Sequence, residues 1–90
     1  MPKYVIEREI PEAGKLTPRD LKAIAMKSKR VLDELGTRIQ WQHSYVTTDK
    51  LYCIYLADDE ALIHEHARRG DFPVTSVARV GAVIDAVTAD

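Results

Sequence analysis

The side chains best suited to chemistry lie in the segment from Trp41 to Ala57 and in an acidic strand that precedes it. The segment holds the only Trp, the only Cys, three of the four Tyr and one of the three His. Glu7 and Glu9 stand two positions apart, so in a strand they share one face and lie roughly 6–7 Å apart. Carboxylates are costly to bury unpaired, so we expect this pair to face water, a cation or a basic residue.

The tripeptide His64-Glu65-His66 suggests a metal site, but helical geometry opposes it. Two residues apart on a helix, the imidazoles point about 200° from each other and cannot hold one ion together. Glu60 and His64 could bind a metal at the surface, although an ion pair is the simpler interpretation. No zinc-protease, P-loop, dinucleotide-binding or nucleophile-elbow motif is present. We therefore assign no catalytic residue and favour a protein that is not an enzyme.

The order of secondary-structure elements predicts how these residues are positioned. Thr17 is the predicted N-cap of a first helix, with Asp20 as its capping-box partner. A second helix is predicted to begin after Asp58 or Asp59 and to end at Gly70. Strands are predicted over residues 4–10, 38–46, 51–57 and 77–84. This βαββαβ order is typical of the ferredoxin-like α+β sandwich, a four-stranded antiparallel sheet with two helices on one face.

Length, charge and cysteine content exclude several classes of protein. Ninety residues predict a single ferredoxin-like domain over 1–90, and a chain this short could gain stability by forming a dimer. The net charge of −1 argues against nucleic acid or an anionic membrane as a partner. A single Cys excludes an internal disulfide. Because no signal peptide and no apolar run of roughly 18 residues is recognisable, we expect a cytoplasmic protein.

The turn of the hairpin decides which side chains share a face of the sheet. A loop with an even number of residues within 47–50 pairs Val46 with Leu51. A three-residue loop would shift the pairing by one residue and invert the faces. The shifted pairing sets Gln42 and Ser44 beside apolar partners, so we prefer the even register.

That register predicts two different faces of the sheet. The face under the helices is predicted to carry Tyr4, Ile6, Ile39, Trp41, His43, Tyr45, Tyr52, Ile54 and Leu56. The open face is predicted to carry Val5, Glu7, Glu9, Gln42, Ser44, Val46, Leu51, Cys53, Tyr55, Arg79 and Val83. His43 is then either a hydrogen-bonded core residue, or a ligand or general base beside a cavity.

Several groups of residues together resemble a known family. They are Tyr4-Val5-Ile6-Glu7-Arg8-Glu9-Ile10-Pro11, Trp41 with Ser44-Tyr45-Val46, Asp49-Lys50 with Tyr52-Cys53 and Tyr55, and Glu65-His66-Ala67 with Gly70 and Phe72-Pro73. They look like a small bacterial domain-of-unknown-function family whose characterised member is a nickel-binding, ferredoxin-like protein. The resemblance covers nearly the whole chain and implies a cytoplasmic homodimer that binds nickel.

The nickel ligands are predicted from chemistry, because the family's ligands match no motif here residue by residue. Nickel(II) accepts imidazole nitrogen and carboxylate or water oxygen, often with six ligands. The predicted donors are Glu7, Glu9, His43 and His66, and a homodimer formed through the open sheet face would double them. The predicted function is nickel sequestration or sensing. The alternatives are a dimeric α+β-barrel-type enzyme or small-ligand-binding protein with a cavity near His43, and an interaction module that only dimerises.

Overall fold

Four antiparallel strands form one sheet in the order β2-β3-β1-β4, and two helices cover one of its faces. The computed structural model describes all 90 residues. The strands are β1 Lys3–Glu9, β2 Ile39–Val46, β3 Lys50–Ala57 and β4 Ser76–Arg79. The helices are α1 Pro18–Leu35 and α2 Glu60–Gly70, with short 3₁₀ helices at Ala13–Lys15 and Ala86–Ala89. The predicted βαββαβ order is confirmed.

The helix ends form where the sequence predicts them. The Thr17 hydroxyl accepts a hydrogen bond from the Asp20 backbone N–H at 3.2 Å, and the Asp20 carboxylate accepts one from the Thr17 N–H at 2.9 Å. This capping box satisfies two N–H groups that an open helix end would leave unpaired. Asp59 caps α2 by accepting from the Leu62 N–H at 3.2 Å. Gly36 ends α1 with φ of 83°, a conformation that favours glycine.

The core lies between the helices and one face of the two central strands. On β1, Tyr4, Ile6 and Arg8 are buried, and the residues between them are not. The covered residues of β3 are Leu51, Cys53, Tyr55 and Ala57. From the helices, Val31 and Ile63 complete the packing. Neither α1 nor α2 combines the length and the hydropathy that a membrane-spanning helix requires.

The hairpin register is confirmed, but most of the faces assigned to its residues are wrong. Val46 lies opposite Leu51 and Ser44 lies opposite Cys53, as the even loop predicts. Cys53, however, also pairs with Ile6 on β1. Directly paired residues share a face, so the apolar side of β1 takes Cys53 under the helices. Five residues that were predicted to lie under the helices are on the open face: His43, Tyr45, Tyr52, Ile54 and Leu56. Five residues that were predicted to lie on the open face are on the covered side: Ser44, Val46, Leu51, Cys53 and Tyr55.

A β-bulge at Gln42 explains why Trp41 is nevertheless on the covered side. Trp41 pairs with Tyr55, His43 pairs with the preceding residue Ile54, and Gln42 has no partner. A bulge inserts one extra residue, so positions an odd number apart can share a face. Trp41 Nε1 accordingly donates to Ser44 Oγ at 3.0 Å.

The last strand is shorter than predicted. β4 ends at Arg79 because its partner β1 begins at Lys3, whose carbonyl accepts the Val80 N–H at 2.8 Å. Arg79 pairs with the covered residue Tyr4, so its predicted place on the open face is wrong. Val83 follows the strand and is 70% exposed, so it belongs to neither face.

Candidate sites on the two faces of the sheet

The open face carries a carboxylate that is already engaged. Glu7 Oε1 accepts a hydrogen bond from Lys50 Nζ at 2.5 Å, and its Oε2 accepts one from Ser76 Oγ at 3.1 Å. The Lys50 and Ser76 hydrogen bonds lower the pKa of Glu7, while the neighbouring carboxylate raises the pKa of Lys50. Glu7 thus faces a basic residue, as expected for a carboxylate at this position.

His43, Tyr45 and Glu9 are the exposed donors of this face. His43 Nε2 lies 3.0 Å from the Tyr45 hydroxyl, and the two rings meet edge to face at 5.0 Å. Glu9 is the exposed last residue of β1, and its backbone N–H donates to Thr75 Oγ1 at 2.9 Å. Imidazole and carboxylate at the surface are available to a metal ion.

These donors are not close together within one copy of the chain. Strand β3 separates β2, which carries His43, from β1, which carries Glu7 and Glu9. Two strand spacings amount to roughly 10 Å, more than two side chains bridge to one ion without rearrangement. No group of three or more His, Cys, Asp or Glu residues is arranged to hold a metal. The donor chemistry of the open face fits nickel, but the number of donors in one copy does not.

His66, the fourth predicted ligand, lies on the opposite side of the sheet. It is 1% exposed on α2, and its Nε2 lies 3.0 Å from Ser28 Oγ on α1. Its ring is 5.3 Å from both the Phe72 and the Tyr55 rings. Burial, and then the charge of Arg8, lower its pKa to about 4, so the imidazole is neutral near pH 7. His66 cannot share one ion with His43, because the sheet lies between them.

A cavity of about 380 Å³ opens between α1 and the covered face of the sheet. Ten of its 15 lining residues are hydrophobic. The polar or reactive groups among them are Arg8, Lys27, Ser28, Ser44, Cys53, Tyr55 and His66. His43 is not among the lining residues, so the predicted location of a cavity near His43 is wrong. The cavity lies elsewhere than predicted because the hairpin presents its opposite face to the helices, which exposes His43 and places Tyr55 at the cavity. The bulge keeps Trp41 at the cavity as well.

Arg8 is the residue of this cavity that the sequence analysis missed. It is 3% exposed, its Nη1 donates to the Pro73 carbonyl at 2.7 Å, and its guanidinium lies 5.5 Å from the centre of the Phe72 ring. It forms no ion pair with any carboxylate, whereas Lys50 and Arg69 do. The signal was present in the strand alternation, since Arg8 is in phase with Tyr4 and Ile6.

Metal ions fit the cavity poorly. Lys27 Nζ lies 5.0 Å from the centre of the Phe72 ring, on which Arg8 also packs, so two cations adjoin the cavity. The lining includes no acidic residue. A divalent cation beside His66 and Cys53 would meet positive charge in a medium of low dielectric constant, which opposes binding. The open face is therefore the better place for nickel.

Comparisons with known proteins agree with the fold. Residues 4–80 match a family described as nickel responsive protein, SCO4226-like. The crystal structure of SCO4226 from Streptomyces coelicolor A3(2) superimposes with a TM-score of 0.73 at 13% identity, over 91% of this chain and 99% of that chain. No curated protein matches the sequence. The structural likeness establishes the ferredoxin-like α+β fold.

Proposed function

Because the chain belongs to the nickel responsive protein, SCO4226-like family, we propose that it binds nickel and serves in nickel sequestration or sensing in the cytoplasm. The observation that carries this proposal is the uncovered face of the sheet, where Glu9 and His43 are exposed. Nickel accepts exposed carboxylate oxygen and imidazole nitrogen and fills its remaining positions with water.

The proposed site is shared by two copies of the chain, because the donors within one copy are separated. In a homodimer with two-fold symmetry, a site near the axis receives the same residues from both copies. Two open faces packed together supply two sets of Glu7, Glu9 and His43. His66 takes no part in this site, since it lies behind the sheet.

The open face also offers apolar surface to such a dimer. Its half-buried side chains include Val5 and Ile54, which pair directly, and Leu56 on the same strand. Tyr45 is 58% exposed beside them. Covering these groups with a second copy would remove apolar area from water, which stabilises association in a domain this small. In this dimer the helices cover one side of the sheet, and a second copy of the chain covers the other.

The test is a calorimetric titration of tag-free protein with nickel chloride, with sedimentation in parallel. We expect saturable nickel binding by a dimer and a loss of at least tenfold in affinity in His43→Ala. The matched control is His64→Ala, since His64 is an exposed histidine on α2 that pairs with Glu60. Its nickel affinity should equal that of the wild type.

Two results would overturn the proposal. One is the absence of saturable nickel binding at concentrations up to roughly 1 mM. The other comes from Glu7→Gln and Glu9→Gln: loss of the dimer with unchanged nickel affinity would make the face an interface only. Loss of nickel binding in a protein that remains dimeric supports the shared site.

A further inference from the structure

We propose that the cavity beneath α1 binds a small organic carboxylate with an apolar body, and that Arg8 holds the carboxylate. This site lies on the opposite side of the sheet from the proposed nickel site and does not depend on a metal. Arg8 forms no ion pair with any acidic residue of the chain.

The guanidinium of Arg8 is a buried cation without an anion. Arginine keeps its charge in proteins, and an unpaired buried charge is strongly unfavourable. Its partners are the Pro73 carbonyl at 2.7 Å and the face of the Phe72 ring at 5.5 Å, both of which are uncharged. A ligand carboxylate would supply the missing charge through two parallel N–H···O bonds.

A second polar group of the cavity lacks a partner. His66 Nδ1 is buried and makes no hydrogen bond. Its other nitrogen, Nε2, contacts Ser28 Oγ at 3.0 Å, and Ser28 in turn lies 3.4 Å from the Tyr55 hydroxyl. When Ser28 donates to Nε2, the Nδ1–H of His66 is free to donate to a ligand oxygen. Buried polar atoms are nearly always satisfied, so an unsatisfied one beside a cavity indicates a missing partner.

The rest of the cavity suits an apolar body. On α1, Leu21, Ile24 and Ala25 line it and remain only half-buried, although they belong to the apolar stripe of the helix. Opposite them, Trp41 and Tyr55 stack with ring centres 6.5 Å apart. A volume of about 380 Å³ lies within the range of roughly 300–1,000 Å³ of small-molecule sites.

The charges of the lining select anions over cations. Two of the 15 lining residues, Arg8 and Lys27, are cationic and none is acidic. Lys27 is exposed at the rim, where it contributes to attraction of the ligand more than to its final affinity. A neutral ligand of the same shape would leave Arg8 unpaired, so the site should discriminate by charge.

Trp41 is the single Trp of the chain and lines the cavity, so its fluorescence reports occupancy directly. The experiment titrates the full chain, in excess chelator, with octanoate and 4-phenylbutyrate and with the corresponding neutral amides. We expect a saturable change in Trp41 emission, with at least one acid binding tenfold more tightly than its amide. Because no nickel is present, the result is independent of the proposed nickel site.

Variants then assign the carboxylate to Arg8. Arg8→Gln should lower the acid's affinity at least tenfold, to that of the amide, while the amide's affinity stays unchanged. Arg79→Gln, at an exposed arginine on β4 that is absent from the cavity lining, should bind like the wild type. Should Arg8→Gln fail to fold, Arg8→Lys replaces it and is expected to bind the acid several-fold more weakly, because lysine lacks the bidentate fork.

Three outcomes would overturn the inference. The first is no saturable response of Trp41 to either acid in the folded protein. The second is equal affinity for an acid and its amide. The third is a folded Arg8 variant that still prefers the acid by the wild-type factor.

Discussion

The two faces of the sheet handle charge in opposite ways, and β1 displays both. Glu7 and Arg8 are neighbours in sequence, yet alternation directs the carboxylate to the open face and the guanidinium under the helices. They therefore cannot pair with each other. Glu7 forms an ion pair with Lys50 on the adjacent strand, whereas Arg8 contacts only a carbonyl oxygen and an aromatic ring.

The difference shows why the two faces suit different ligands. Water screens the charges of the open face, so its ion pair is weak and its donors can exchange partners with a metal or a second copy. Arg8 on the covered face is 3% exposed, so water screens its charge less and a partner within the cavity matters more. The same strand thus presents a carboxylate on the open face and a guanidinium on the buried face.

The largest expected difference between the faces is in packing. Ile6 is fully buried on the covered face, and Ile54 is half-buried on the open face of the neighbouring strand. Ile6→Ala should lower the free energy of unfolding by about 2–5 kcal/mol, because it leaves a cavity in the core. Ile54→Ala should cost well under half as much in the monomer. Urea unfolding of dilute protein measures both.

The dependence of stability on protein concentration also distinguishes the two faces. If the open faces associate, the cost of Ile54→Ala should grow with protein concentration, because dimer formation stabilises the folded state by mass action. The cost of Ile6→Ala should not change in the same way. An equal loss of stability in both variants at low concentration would contradict the assignment of faces.

The second prediction concerns the pH response of His66 on the covered face. The pKa of His66 is lowered from 6.5 to about 4, because burial and the charge of Arg8 disfavour its protonated form. Between these two values the unfolded chain binds more protons than the folded one, so stability is full above the unfolded pKa and is lost as the pH falls. From about pH 7 to about pH 4.5 this loss should reach roughly 2 kcal/mol.

Replacing His66 tests whether its buried imidazole causes this pH dependence. His66→Gln keeps a hydrogen-bonding group near Ser28 but does not titrate, so stability should become nearly independent of pH in this window. The carboxylates with lowered pKa at Glu7, Asp20 and Glu65 begin to lose their contributions only below about pH 5, so the profiles are compared above that pH. A pH profile unchanged by His66→Gln would refute the burial argument.

The third prediction concerns the bulge that separates Trp41 from His43. Because Gln42 has no cross-strand partner, its deletion should convert the bulge into a regular ladder with Trp41 still opposite Tyr55. We expect a cost of about 1 kcal/mol and an unchanged Trp41 emission maximum. A red-shifted emission that iodide quenches readily would show that Trp41 had moved to the open face.

The bulge also marks the limit of what the sequence predicts about the fold. The capping box at Thr17, the order of strands and helices along the chain and the hairpin loop follow from local rules of spacing and hydrogen bonding. The face of each hairpin residue depends on β3 pairing with β1, a non-local contact that places Cys53 opposite Ile6. Aromatic content alone favoured the wrong face, because the exposed Tyr45 looks like a core residue in the sequence.

The sequence predicts the residues of the two candidate sites to different extents. Alternation along β1 is enough to place Glu7 and Glu9 on the open face, where the structure has them. It also places Arg8 in the core, but a buried arginine becomes informative only when the absence of a nearby carboxylate is visible. The cavity itself arises from the stand-off of α1 from the sheet, which no local pattern encodes.

The smallest expected effect is that of the Glu7–Lys50 pair, which tests whether the open face is truly hydrated. Glu7→Gln and Lys50→Met, alone and combined, form a double-mutant cycle for this contact of 2.5 Å. We expect a coupling smaller than any effect above, and one that weakens further as salt is added, because exposed ion pairs are screened. Urea midpoints at low and high ionic strength measure it. A large coupling that salt does not reduce would mean that the face is already covered in solution, as it would be in a dimer formed without nickel.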